Sequence, residues 1–186
     1  MPDRPATDVR RVARREVLRN QWLTLYEDEI AYADGSPGTY TVVDKRDFAV
    51  VLAFTGGGFW LVEQYRYALG RRAWEFPQGG WPSGKSGTPE ELAAAELVEE
   101  TGLRADTLEH LGRLDASPGF ATNGFDVYLA TGLHEGEPDR EASEADMVHR
   151  WFPTEELHAM LARGEFTDSN SVAALALFLL RSPVQR

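Results

Sequence analysis

The chain has no cysteine. That excludes disulfides, thiolate zinc sites and a cysteine nucleophile, and leaves the redox compartment unmarked. No run approaches 18 consecutive apolar residues, and no signal-peptide core follows Met1, so neither a membrane span nor a leader is expected. Positive charge is scarce as well: 19 Lys and Arg stand against 30 Asp and Glu, a net charge of −11. A nucleic-acid backbone needs a basic patch, so no such partner is expected. A phosphate-bearing substrate would have to be met by a few local arginines or by a metal. The four histidines (His110, His134, His149 and His158) lack metal-ligand spacing, and no repeat or low-complexity segment is present.

What is present suits an ordinary soluble domain: 186 residues, 42% hydrophobic and 26% charged. A chain of this size buries about 70% of its unfolded surface. The six arginines of the first 20 residues are interrupted by Asp3, Asp8 and Glu16. Residues 1–16 are therefore expected to be a mobile tail, and cytoplasm is the default location.

The most informative stretch is 80–103, GWPSGKSGTPEELAAAELVEETGL. Thr88 suits an N-cap, Pro89 the first helical position, and Glu91 completes a T-x-x-E capping box. Gly102 supplies a left-handed terminator. Between them Glu96, Glu99 and Glu100 stand at i, i+3 and i+4, with carboxylates side by side and no Lys or Arg in the helix to offset them. Ala94, Leu97, Val98 and Thr101 fall on the far side. Such a row of acids is either a solvated face or a seat for a divalent cation. The glycines before the helix, Gly79, Gly80, Gly84 and Gly87, permit close backbone approach to a ligand.

Along the chain, Trp22–Tyr32 and Thr39–Val43 predict a hairpin across Asp34-Gly35, and Asp47–Phe54 and Phe59–Tyr65 a second one across 55–58. Leu111–Ala116, Phe125–Ala130 and His149–Phe152 read as strands. Thr154 is expected to cap a second helix ending at Gly164, and Asp168 or Ser169 a third over Val172–Leu180. Strands joined in hairpins and few helices predict an α/β (α+β) fold with a mixed sheet covered by helices.

The helix segment resembles the Nudix box, G-x5-E-x7-R-E-U-x-E-E-x-G-U with U apolar, of the Nudix hydrolase superfamily. Glu96, Leu97, Glu99, Glu100, Gly102 and Leu103 match everything after the arginine. Upstream the pattern departs: its arginine falls on Ala95, its first glutamate on Gly87, and the loop holds one extra residue. The flanking runs VEQYR (62–66), WEFPQGG (74–80) and SPG (117–119), the acids Glu141, Glu144 and Asp146, WFPTEEL and GEFTDSNSVAAL look like the ADP-ribose pyrophosphatase branch, over roughly residues 18–180. Many relatives carry a glutamate where this chain has Asn123.

The resemblance implies an α/β/α sandwich. The expected domain is 17–182, with an N-terminal hairpin region at 17–45 and a core at 46–182. It also implies a homodimer built through the N-terminal strands. Mg²⁺, or Mn²⁺, is implied at Glu96, Glu99, Glu100 and the Gly79 carbonyl, and hard cations do seek such oxygen ligands. Glu99 and Glu100 are then catalytic as well as ligating. Glu144 is the candidate general base and Glu141 its rival, unless that loop is only a solvated acidic turn.

Arg66 is the candidate phosphate contact through its fork of donors, as against a surface arginine. Glu75 is a candidate substrate contact, as against an ion pair with Arg71 or Arg72. Phe120 closes over the substrate or packs in the core. Trp22, Tyr26, Tyr32 and Phe48 are expected in the core rather than stacked on a base. The leading reading is metal-dependent cleavage of a nucleoside diphosphate sugar, ADP-ribose first. A catalytically weak nucleotide-sugar binding module, and hydrolysis of a nucleoside triphosphate or CoA-like substrate, are the alternatives.

Overall fold

The computed structural model describes residues 9–140 and 144–181. The chain divides into two compact units, residues 1–46 with 115–124, and 47–114 with 125–186.

The first unit is built on a three-stranded antiparallel sheet, β1 (Val9–Arg19), β2 (Thr24–Tyr32) and β3 (Pro37–Asp44). The β2–β3 turn uses Gly35 at φ 84°, with the Asp34 Oδ1 accepting from the Ser36 amide and hydroxyl. The tail expected over 1–16 is corrected from Val9 onward, where the segment is a strand paired to β2, while the hairpin expected across Asp34-Gly35 forms as β2–β3. The arginines of β1 hid the pattern because acids on β2 answer them. Arg14 donates through Nε and Nη2 to Asp28 at 2.7 Å each, and Arg15 bonds Glu27. Residues 1–8 lie outside the described residues. Segment 115–124 joins this unit, with Val43 N–H donating to the Phe120 carbonyl and Thr122 N–H to that of Val43. Trp22 and Tyr32, expected in the core, are largely exposed; Tyr26 lies under the Arg14 guanidinium at 4.4 Å.

The second unit contains β4 (Phe48–Thr55), β5 (Gly58–Arg66), β6 (Arg71–Glu75), β7 (Gln78–Gly79), α1 (Pro89–Thr101), β8 (Arg104–Asp115), β9 (Gly124–His134), β10 (Val148–Pro153), α2 (Thr154–Arg163) and α3 (Ser169–Arg181). Strands run in the order β10-β5-β4-β9-β8. The sheet is mixed: β4 lies parallel to β9 and antiparallel to β5.

The β4–β5 pairing covers only Ala53–Thr55 against Gly58–Trp60. Beyond it the strands part. β5 goes on with β6, from Val62↔Glu75 to Arg66↔Arg71, while β4 takes up β7 at Ala49↔Gly79 and Val50↔Gln78. This fork sets Glu75 and Gln78, each on its own strand, three residues apart in the chain.

Side chains of β4 alternate between two covered faces, as a strand must. Ala49, Val51 and Ala53 meet Leu92, Ala93 and Leu97 of α1. On the other face Phe54 meets Phe178 of α3, ring centroids 5.4 Å apart. Helices on both faces make this unit the α/β/α sandwich, and each buried Leu or Val contributes about 1.5–3 kcal/mol. Phe48 stacks on Phe125 at 5.0 Å.

Thr154 does not cap α2. The N-cap is Pro153, and the Thr154 hydroxyl donates to the Gly57 carbonyl at 2.7 Å instead. No helix among the described residues is long and apolar enough to cross a membrane.

Candidate active site

Helix α1 begins and ends as its sequence dictates. The Thr88 side chain accepts from the Glu91 amide at 3.1 Å, and Glu91 Oε2 accepts from the Thr88 amide at 2.7 Å, which closes the capping box. Gly102 ends the helix at φ 75°. There a Cβ would lie 2.2 Å from the Gly136 carbonyl oxygen, so the terminator is also a point of close backbone approach.

The helix is covered on more than its apolar side. Glu96 is buried and Glu100 is 1% exposed, which rules out the solvated acidic face. Glu100 Oε2 accepts from the Gln78 backbone N–H at 3.1 Å, while Oε1 is buried with no hydrogen-bond partner. Burial pushes the Glu100 carboxyl well above the usual range, and the charges of Glu96, Glu144 and Glu75 push it further. These four carboxylates therefore share one electrostatic neighbourhood. Glu99 is half-buried on the same helix, its carbonyl accepting from the Asp139 amide. Gly79 lies directly against Glu96: a Cβ there would come within 2.4 Å of Oε2.

Arg66 and Glu75, singled out separately, are partners of one another. Arg66 Nη2 and Nε donate to Glu75 Oε2 at 2.7 and 3.2 Å. The alternative pairing of Glu75 with Arg71 or Arg72 is thus overturned, since Arg72 binds Glu63 and Asp146 and Arg71 reaches Thr167. Glu75 is almost fully buried, and burial pushes its carboxyl up against the pull of Arg66. Arg66 is half-exposed, and only the Nε and Nη2 of its fork are engaged by Glu75.

Three further residues join these: Gln78 of the WEFPQGG run, Asp168, expected only as a helix cap, and Arg140, which no motif marks. Gln78 bridges Glu75 and Asp168 through Nε2, at 2.9 and 3.1 Å. Asp168 Oδ2 also accepts from the Ser171 amide, capping α3. Arg140 grips the end of α1, donating to the Glu100 carbonyl from Nε and Nη2 and to the Met147 carbonyl at 2.6 Å. Its Nη2 also meets His149 Nδ1 at 2.8 Å; burial, then the Arg140 charge, holds that imidazole below its ordinary pKa.

Glu141 lies outside the described residues, so its rivalry with Glu144 has no structural answer. Phe120 and Asn123 belong to the first unit. Phe120 is half-exposed rather than packed in a core, and Asn123 is buried, its carbonyl accepting from Ala116. At Gly87, where the Nudix-box pattern has a glutamate, a Cβ would meet Glu91 and the Trp81 ring at 2.8 Å. The loop has filled that space with tryptophan.

A family model described as the NUDIX domain matches residues 44–175, and one described as the nucleoside diphosphate sugar hydrolase N-terminal domain matches residues 9–43. The chain belongs to the NUDIX family. Among curated relatives, an ADP-ribose pyrophosphatase of Mycobacterium tuberculosis (strain ATCC 25618 / H37Rv) is 39% identical over 154 residues, 81% of this chain and 73% of the relative. An ADP-ribose pyrophosphatase of Bacillus subtilis (strain 168) is 29% identical over 176 residues, 94% of each chain. A solved structure titled as an ADP compounds hydrolase superposes with a TM-score of 0.79 at 19% identity, covering 96% of this chain and 95% of that one, a likeness of fold.

NUDIX hydrolases generally use divalent cations such as Mg²⁺. Among the described residues no group of three acidic or imidazole side chains is disposed to hold a metal ion as it stands. Mg²⁺ does not demand one, because it keeps several waters and takes one or two carboxylates. The partnerless buried oxygen of Glu100, crowded by three further acids, has the donor chemistry of such a site. The residues fit.

Proposed function

We propose that this NUDIX protein hydrolyses the diphosphate of a nucleoside diphosphate sugar, ADP-ribose foremost, to AMP and ribose 5-phosphate. The observation that carries the reading is the buried acid cluster on a capped helix, tied through Gln78 to a half-exposed arginine. The names of the relatives supply the substrate class.

Glu96 and Glu100, with the Gly79 carbonyl, would hold Mg²⁺ or Mn²⁺, and Glu99 stands by as a further ligand or an orienting group. When bound, the cation supplies charge neutralisation at the diphosphate and a more acidic water. The chain's own residues do the rest. Arg66 presents its Nη1 edge to a phosphoryl oxygen, a planar donor pattern that Lys lacks. Glu144 takes a proton from the attacking water. The water oxygen bonds one phosphorus as the bond from that phosphorus to the bridging oxygen breaks, and the two monophosphates separate.

The homodimer belongs to the same reading. Val12, Leu18 and Trp22 lie exposed on the first unit, apolar side chains that a second copy could cover. Light scattering of the purified protein should give twice the chain mass of 20.7 kDa.

The direct test measures AMP released from ADP-ribose, other nucleotide sugars, nucleoside triphosphates and CoA under Mg²⁺ or Mn²⁺. ADP-ribose should be turned over fastest, and chelation should stop it. No release from any nucleotide sugar with either ion overturns the reading.

A further inference from the structure

Gln78 touches both halves of the site with two different parts of itself. Its backbone N–H seats Glu100 at 3.1 Å, and its side-chain Nε2 seats Glu75 and Asp168. The amide orientation is fixed by its surroundings, since the flipped form would set a carbonyl oxygen against two carboxylates. Any residue but proline supplies the backbone bond and the β7 pairing with Val50. The glutamine is required only for what its side chain does.

That side chain acts on the oxygen that Arg66 uses. Glu75 Oε2 receives Arg66 Nε, Arg66 Nη2 and Gln78 Nε2, all within 3.2 Å. On the far side the Gln78 amide is held by Asp168, whose own place is set by capping α3. A chain thus runs from the start of α3 through Asp168, Gln78 and Glu75 to the half-exposed Arg66 guanidinium. Without Nε2, Glu75 is held from one side only, by the half-exposed arginine it is meant to orient.

Resting on the reading of Arg66 as the diphosphate contact, we propose that Gln78 is a positioning residue: through Glu75 its side chain aims the Arg66 guanidinium at the substrate, while its backbone independently seats Glu100. The two roles separate by substitution. Gln78→Met keeps length and backbone N–H but loses the amide donor. KM for ADP-ribose should rise on the order of 10-fold, the scale of one hydrogen bond to a charged group, with kcat within about 3-fold of wild type. The Mn²⁺ dissociation constant, read by calorimetry without substrate, should be unchanged.

Glu75→Gln should raise KM as well, and the double variant should be no worse than Glu75→Gln alone, because both act through one carboxylate. Circular dichroism checks the fold, and Gln78→Ala carries the same comparison should the methionine fail to fold. An unchanged KM in a folded Gln78 variant, multiplying effects in the double variant, or a weakened Mn²⁺ site each overturns the proposal. The wild type is assayed alongside. Its failure to turn over ADP-ribose would overturn the function itself, a result distinct from an active wild type with an indifferent Gln78.

Discussion

At the scale of single residues, the site places charge where water cannot reach it. Glu100 has one oxygen on a backbone N–H and one with no partner, beside other acids that raise its proton affinity. Such a group destabilises the metal-free fold. Glu100→Gln should therefore abolish turnover, by about 100-fold or more, yet raise the melting temperature of the metal-free protein by roughly 2–4 °C, the effect of about 1 kcal/mol in a chain of this size. A thermal melt in EDTA beside the AMP assay checks both halves. Gly79→Ala acts on the metal seat with little effect on the fold. Its methyl would occupy the place of the Glu96 carboxylate, the movable end of a side chain, so melting should hardly change while Mn²⁺ affinity falls some 10- to 100-fold by calorimetry. Glu96, Glu99 and Glu100 were legible in the sequence because their spacing, with the cap and terminator, permits one arrangement. That Gln78, Asp168 and Arg140 join the site was not legible, although Asp168 was readable as a helix cap, because nothing in their neighbours says that a strand, a helix cap and a loop will meet.

At the scale of elements, helix α1 is the part that the sequence specifies best, and its two ends are specified unequally. Thr88→Ala removes one side-chain cap and should cost about 1 kcal/mol. Gly102→Ala loses the left-handed terminator and drives a methyl into the Gly136 carbonyl, both backbone conflicts without easy relief. It should lower the melting temperature more than Thr88→Ala does, and a reversed order in parallel melts would contradict this account of the helix. Elements that the periodicity missed are the ones whose partners are distant. β1 reads as a basic tail until Asp28 and Glu27 are set opposite its arginines. β7 is two residues long and owes its existence to the edge of β4. Thr154 shows the converse: a good capping residue by type, it bonds a carbonyl 97 positions away.

At the scale of the whole molecule, a net charge of −11 is borne by a protein whose ion pairs are largely at strand edges and surfaces. The Arg14–Asp28 fork between β1 and β2 has its acid side chain buried, at 7% exposure. Hydrogen bonds from Arg14 hold the Asp28 carboxyl below its ordinary value of 3.8. Its folded form thus binds protons less readily than its unfolded form. The fork's contribution is in place above that ordinary value and is lost as pH falls through the depressed one. Asp28→Asn should flatten this acid limb below about pH 4, measured by hydrogen exchange or fluorescence of the N-terminal unit, and leave the slope near neutrality as it was. The layered architecture was legible from hairpins and capped helices, and the N-terminal region was set apart from the core; the return of segment 115–124 to β3 was not legible, because it comes from far along the chain.

The parting of β4 from β5 has an evolutionary corollary. Both banks of the opening are main-chain ladders, so Arg66, Glu75 and Gln78 ride on scaffolding that tolerates little drift, while residues 80–88 run from β7 to the N-cap of α1 with only Trp81 packed on the core. Descendants of such a protein can vary the exposed positions 82–86 of that link while the two ladders are inherited intact.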